Sequence, residues 1–133
     1  MRAGQSIATS ALHEQVTARG HQFVMAERAG VATGFASYQV GCPAAGVVKL
    51  HKLYVLPEAQ GQHIGGRLIE FICRTVRASQ RALRLNVNKF NRARQVYHRM
   101  GFSVIGTKVI DIGEGYVMDD VIMQREIRQP GQV

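Results

Sequence analysis

The stretch Lys49-Leu50-His51-Lys52-Leu53-Tyr54-Val55-Leu56-Pro57-Glu58-Ala59-Gln60-Gly61-Gln62-His63-Ile64-Gly65-Gly66-Arg67-Leu68 decides how this chain is read. It begins as a β-run, meets Pro57, passes a glycine-rich turn and enters an amphipathic pattern. A helix start offers unpaired backbone N–H groups and a partial positive charge. Glycines there let a phosphate approach the backbone closely. The stretch therefore reads as strand, anion cradle and helix, with the amides of residues 62–66 as pyrophosphate donors and Gln60 as a side-chain donor.

Working outward, Ile64, Leu68, Phe71, Ile72, Thr75 and Val76 repeat at helical spacing, with Arg67, Glu70, Arg74 and Arg77 opposite, so a helix is expected over 64–79. Leu83, Leu85 and Val87 alternate as a strand over 82–87. Asn91 caps a second helix whose inner face is Ala93, Val96, Tyr97 and Met100, and Gly101 ends it. Strands over 102–112 and 116–127 flank a Gly113-Glu114-Gly115 turn. Upstream, 21–28 and 33–40 form a hairpin around Gly30, and 47–55 is the next strand. Leu12 and Val16 stand four apart, so a helix is expected over 10–19, stopped by Gly20. The strand–helix–strand crossover demands a parallel pair. The expected architecture is an α/β layered fold, a mixed and mostly antiparallel sheet flanked by helices, forming one domain over 1–128 with a frayed tail at 129–133.

Composition bounds the function. The 133 residues suffice for one core, and 46% are hydrophobic. No apolar run approaches bilayer length, and the first ten residues lack the apolar segment of a signal peptide. Cys42 and Cys73 have no metal-ligand spacing, and no His/Cys/Asp cluster does, so no metal is expected and a reduced, cytoplasmic setting fits. Cys73 sits mid-helix without a neighbouring base, which argues against this thiol as a covalent nucleophile. The net charge of +8 favours anionic partners, whether nucleic acid, an acidic surface or a polyphosphate cofactor.

Two segments together resemble the GCN5-related N-acetyltransferase (GNAT) family. Gln60-Gly61-Gln62-His63-Ile64-Gly65 is close to its Q/R-x-x-G-x-G/A signature, with His63 in place of the first motif glycine. Asn91 to Phe102 is similar to its N-x-A-x-x-x-Y-x-x-x-G-F helix. The resemblance covers roughly residues 22–127. It implies acetyl-coenzyme A as donor, a primary amine as acceptor and direct attack in a ternary complex. It implies backbone contacts to the cofactor from Leu53, Tyr54 and Val55, a cradle of Gln60, Gly61, Gln62, His63, Ile64, Gly65 and Gly66, and a further contact from Asn91. Tyr97 matches the tyrosine that protonates the leaving thiolate. His51, on the strand entering the motif, is the candidate general base.

Each role has a plainer reading. By spacing alone Tyr97 is a core tyrosine, His51 a strand histidine on a face with Leu53 and Val55, and Asn91 a helix cap. Asp119 and Asp120, adjacent in a strand, point to opposite faces, so only one can face a pocket. The resemblance implies a strand and one more helix at the front; the chain is expected to lack them, or to carry only the second helix, at 10–19. That leaves a sheet edge at 21–28 open to a second copy of the chain. The alternatives are a module that binds acetyl-coenzyme A without turnover, and a basic nucleic-acid binder. Against the latter, no nucleic-acid motif appears and aromatic residues do not interleave with a basic strand in the sequence.

Overall fold

The computed structural model describes residues 12–16, 20–61 and 63–129. Its strands are β1 (Leu12–Val16), β2 (His21–Arg28), β3 (Val31–Val40), β4 (Val47–Val55), β5 (Ala82–Asn88), β6 (Ser103–Gly113) and β7 (Tyr116–Glu126). Helix α1 (Ile64–Val76) joins β4 to β5, and α2 (Ala93–Arg99) joins β5 to β6. The strands form one sheet in the order β1-β2-β3-β4-β5-β7-β6, antiparallel throughout except for the β4–β5 pair. The expected mixed sheet with one parallel crossover is what the chain adopts.

The front differs from expectation. Residues 12–16 form a strand, not a helix, and pair antiparallel with β2 from Leu12↔Ala26 to Val16↔Gln22. Two apolar residues four apart are a weak helical signal, and pairing with β2 satisfies the backbone that a short isolated helix could not. Consequently β2 is not an open edge; β1 occupies it, and the sheet ends instead at β1 and β6. The expectation that no strand precedes β2 is corrected by β1.

Both helices cover one face. Ile64, Leu68, Ile69, Ile72, Cys73 and Val76 of α1 are buried in one cluster with Val24, Ala36, Tyr38, Leu50, Leu83, Leu85 and Met123. The buried stripe is turned toward Ile69 and Cys73 relative to the expected one: Phe71 is half-buried, and exposed Thr75 donates its hydroxyl to Phe71 O at 2.8 Å. On α2, Tyr97 and Met100 pack on the core, while Val96 is exposed. Arg125 of β7 bonds Glu70 of α1 on this same side.

Gly34 is a packing requirement that the sequence did not flag. A Cβ there would stand 2.7 Å from the Tyr54 carbonyl oxygen and 3.4 Å from Ile64 Cγ2, so only glycine lets β3, β4 and the start of α1 meet. At the other end, Gln129 is anchored rather than frayed, donating to Gln80 O at 3.0 Å and Ile127 O at 3.1 Å. Residues 130–133 of the expected tail lie outside the described residues.

Candidate active site

The site is an opening in the sheet. β4 and β5 pair only at Val47↔Ala82, Val48↔Leu83 and Lys49↔Arg84. Past Lys49 the strands run on to Val55 and Asn88 without pairing, which leaves one backbone edge of each unpaired in the sheet. The gap is a cleft of about 560 Å³ lined by residues of β4, including His51, Leu53 and Tyr54, and across it by Asn86, Asn91, Ala93 and Tyr97. Five expected site residues from two segments far apart in sequence, β4 and Asn91–Tyr97, thus meet in one place.

A bulge aims His51. The β3–β4 register steps from Tyr38↔Leu50 to Ser37↔Lys52, so His51 is the extra residue on β4. Leu50, Leu53 and Val55 face α1, whereas His51, Lys52 and Tyr54 share the opposite face. The expected placement of His51 with Leu53 and Val55 is therefore corrected: simple alternation fails at the inserted residue. His51 stacks on His21, with ring centroids 4.2 Å apart and planes 9° from parallel. Its Nε2 lies 3.1 Å from Gln39 Oε1. With Nε2–H donating to that amide oxygen, the neutral ring keeps its lone pair on Nδ1. Burial, then the neighbouring His21 and Lys49, lower its pKa below the ordinary imidazole value.

Tyr97 is held edge-on to Phe102, 5.7 Å between centroids, with its ring against the core and one side on the cleft. Burial pushes its pKa above the ordinary phenol value, so the hydroxyl keeps its proton at neutral pH. The core reading of Tyr97 and its place on the cleft hold together.

The turn before α1 has the form of an anion cradle. Gly61 has φ +87° and His63 φ +60°, ψ +25°, a left-handed conformation at the helix N-cap. This explains why a glycine suits position 63: the left-handed region penalises a Cβ. Among the described residues the first helical bond is Arg67 N–H to His63 O at 3.0 Å, and the amides of Ile64, Gly65 and Gly66 stand at the helix start, ahead of any acceptor within the helix. A Cβ on Gly66 would meet nothing within 4 Å, and one on Gly65 would touch Leu53 and Val55 only at ordinary contact distance, 3.7 and 3.8 Å. The fold itself demands glycine at neither position, whereas a phosphate lying on those amides would. The residues thus fit the diphosphate of a coenzyme A. Gln60 is partly committed, donating one amide hydrogen to Val55 O at 3.3 Å. Gln62 lies outside the described residues.

Other candidates find structural employment. The N-cap of α2 is Arg92, not the expected Asn91; Asn91, one residue before it, accepts the Ala93 N–H on Oδ1 at 2.8 Å and also lines the cleft. Arg94, on the first turn of α2, donates to Lys89 O at 2.8 Å. Asp119 pairs with Lys89 at 2.6 Å, Asp120 is buried, and Asp111 accepts the Gly113 N–H at 2.8 Å; none of the three lines the cleft. Cys73 is buried and its thiol pKa is raised by that burial, which keeps it unreactive. No group of three or more potential metal ligands occurs among the described residues.

With this geometry in place, comparison with known proteins is informative. The family model described as an acetyltransferase (GNAT) domain matches residues 2–117. The chain belongs to the GNAT acetyltransferase family. A curated relative, the 5-NmdU N-acetyltransferase of Pseudomonas phage PaMx11, is 44% identical over 70 residues, which is 52% of this chain and 47% of the relative. The chain is thus matched to about half the length of that relative. Among solved structures, a GNAT-family acetyltransferase from Desulfovibrio desulfuricans has a TM-score of 0.71 at 26% identity, over 84% of this chain and 71% of the other. The PaiA N-acetyltransferase of Thermoplasma acidophilum, solved in complex with coenzyme A, has a TM-score of 0.63 at 23% identity, over 80% of this chain and 61% of the other. This GNAT domain has no helix long and apolar enough to cross a membrane among its described residues.

Proposed function

We propose that this GNAT domain transfers the acetyl group of acetyl-coenzyme A to a primary amine by direct attack, with His51 as general base and Tyr97 as general acid. The observation that carries the proposal is the meeting of His51 and Tyr97 on one cleft, next to the edge of β4 left unpaired past Lys49. Bound acetyl-coenzyme A supplies an activated acyl group as a thioester.

The chain's own residues do the rest. The amides of Ile64, Gly65 and Gly66 hold the diphosphate, and the unpaired edge of β4 over Leu53, Tyr54 and Val55 lines up the arm that enters the cleft. Asn91 adds a side-chain amide at the far wall. An amine with a reference pKa of about 10.4 arrives protonated, so His51 Nδ1 accepts a proton from it, directly or through water. Its lowered pKa keeps the imidazole in the accepting form at neutral pH. Gln39 positions the ring by holding Nε2–H. The Tyr97 hydroxyl gives its proton to the departing sulfur, whose conjugate acid is of ordinary thiol strength, about 8.5 for a cysteine-like thiol. Amide formation at nitrogen is supported by the phage relative, an N-acetyltransferase by name.

The deciding experiment is thiol release from acetyl-coenzyme A against a panel of free amines, polyamines, amino-bearing nucleosides and peptides. Turnover with a nitrogen acceptor, cut about tenfold or more by Tyr97→Phe and also lowered by His51→Ala, is the expected result. Tight coenzyme A binding with no turnover across the panel would refute transfer in favour of a binding module.

A further inference from the structure

The face of the sheet opposite α1 and α2 carries a charge pattern that the acetyl-transfer chemistry does not use. The bulge at His51 sets Lys49, His51, Lys52 and Tyr54 of β4 on that face. Arg84 of β5 is paired with Lys49, and burial, then the nearby cations Lys108 of β6 and Arg84, lower the Lys49 pKa. Asp120 sits among them as a partial counter-charge. Lys49 donates to Asn86 Oδ1 at 3.0 Å, and Arg84 holds Gln124 Oε1 with two N–H groups at 2.9 and 2.7 Å. Side-chain amides thus space the cations across four strands. Beside this row Tyr54, 47% exposed, leans on Phe35 with ring centroids 5.8 Å apart. Phe35, His51, Lys52 and Tyr54 also line the cleft, so the row of cations and the aromatic pair end at its mouth.

Cations spaced along a sheet with an exposed ring at one end suit a ligand that alternates phosphates with flat bases. An acidic peptide would use the cations and ignore the ring. We propose that this face, opposite α1 and α2, docks a single-stranded polynucleotide bearing the acceptor amine, with phosphates along Lys49, Arg84, Lys108 and Lys52 and a base stacked on Tyr54. The proposal rests on the acetyl-transfer reading for what happens next. There the amine nitrogen forms its bond to the acyl carbon, the carbon–sulfur bond breaks, and the amine proton passes to His51. The cradle at α1 and the docking face lie on opposite sides of the sheet, so donor and acceptor reach the cleft without crossing.

The test is fluorescence anisotropy of the full chain with a labelled oligothymidine, which needs no turnover. Four phosphate contacts to a single strand predict a log–log salt slope of about −2.8, so affinity falls about 50-fold between about 50 and about 200 mM salt. Lys52→Glu and Lys108→Glu, both at exposed positions, each weaken binding and flatten the slope by about 0.7. Arg74→Glu and Arg77→Glu, the same charge change on the outer side of α1 and just past its end, leave binding unchanged. Tyr54→Ala weakens it about fivefold or more through lost stacking. Equal losses from Arg74→Glu and Lys52→Glu would overturn the proposal, because binding would then be diffuse. Poly-glutamate competing as well as the oligonucleotide would overturn it in favour of an acidic protein partner. Retained coenzyme A binding and thiol release with a free amine would show that only the docking idea, not the transfer reading, had failed.

Discussion

Gly65→Ala should raise the stability of the ligand-free protein and lower its affinity for coenzyme A, two effects of opposite sign from one methyl group. The added Cβ would stand 3.7 Å from Leu53 Cδ2 and 3.8 Å from Val55 Cγ2, ordinary contacts that displace nothing. Replacing glycine by alanine within a helix stabilises by roughly 0.5–1 kcal/mol, worth about 2–3 °C in melting temperature for a chain of this size. On the proposed reading the same methyl stands beside the amides of Ile64, Gly65 and Gly66 and narrows the approach of the diphosphate to them. Losing one hydrogen bond to a charged group costs about 1.5–3 kcal/mol, or about 10- to 100-fold in affinity. Differential scanning fluorimetry with and without coenzyme A reads both effects. At about 100 times its Kd, coenzyme A stabilises the parent protein by about 2.7 kcal/mol. A variant weakened about 100-fold gains only about 0.4 kcal/mol at the same concentration. Gly65→Asp, which adds a carboxylate against the diphosphate, should abolish the shift. If both variants keep the parental coenzyme A shift, the diphosphate does not lie on these amides and the cradle is misplaced.

Four further outcomes are expected. Tyr97→Phe keeps the edge-on contact with Phe102, so it should leave melting temperature and coenzyme A affinity intact while cutting kcat about tenfold or more; unchanged kcat removes the hydroxyl from the mechanism. Because the His51 pKa is lowered and the base must be neutral, kcat/KM should rise with pH and lose its His51-dependent limb below the ordinary imidazole value of about 6.5; Gln39→Leu, which frees Nε2, should move that limb, and a profile identical in His51→Ala would exclude this base. Gly34→Ala forces a Cβ to 2.7 Å from the Tyr54 carbonyl and should destabilise by about 1–3 kcal/mol in a denaturant titration; a neutral result would mean the strands part there at no cost. His63→Gly relieves a left-handed backbone of about 1–2 kcal/mol but adds unfolded-state freedom of about 0.5–1 kcal/mol, so a net gain near 0.5–1 kcal/mol is expected by melting temperature, and a loss would show that the imidazole makes a compensating contact.

What the sequence alone determined is local in nature. The apolar period of α1, the alternation of β5, the Gly113-Glu114-Gly115 turn and the glycine run before Ile64 all follow from neighbours a few residues apart, and each of these lies within a residue or two of its expected place, apart from the three-residue turn that shortens the end of α1. The combination of Gln60 to Gly65 with Asn91 to Phe102 also pointed to the GNAT family without coordinates. What only the tertiary structure decided depends on partners far along the chain. Residues 12–16 are a strand because β2 is there to pair with them. His51 faces away from Leu53 because β3 offers one residue opposite two, a mismatch invisible in β4 itself. Gly34 is indispensable only because the Tyr54 carbonyl comes within 2.7 Å of where its Cβ would stand. The cations of β4, β5 and β6 form one row only once the sheet order has set β7 between β5 and β6. Periodicity records which way a side chain points on its own segment; register and strand order, set by long-range pairing, decide what it then meets.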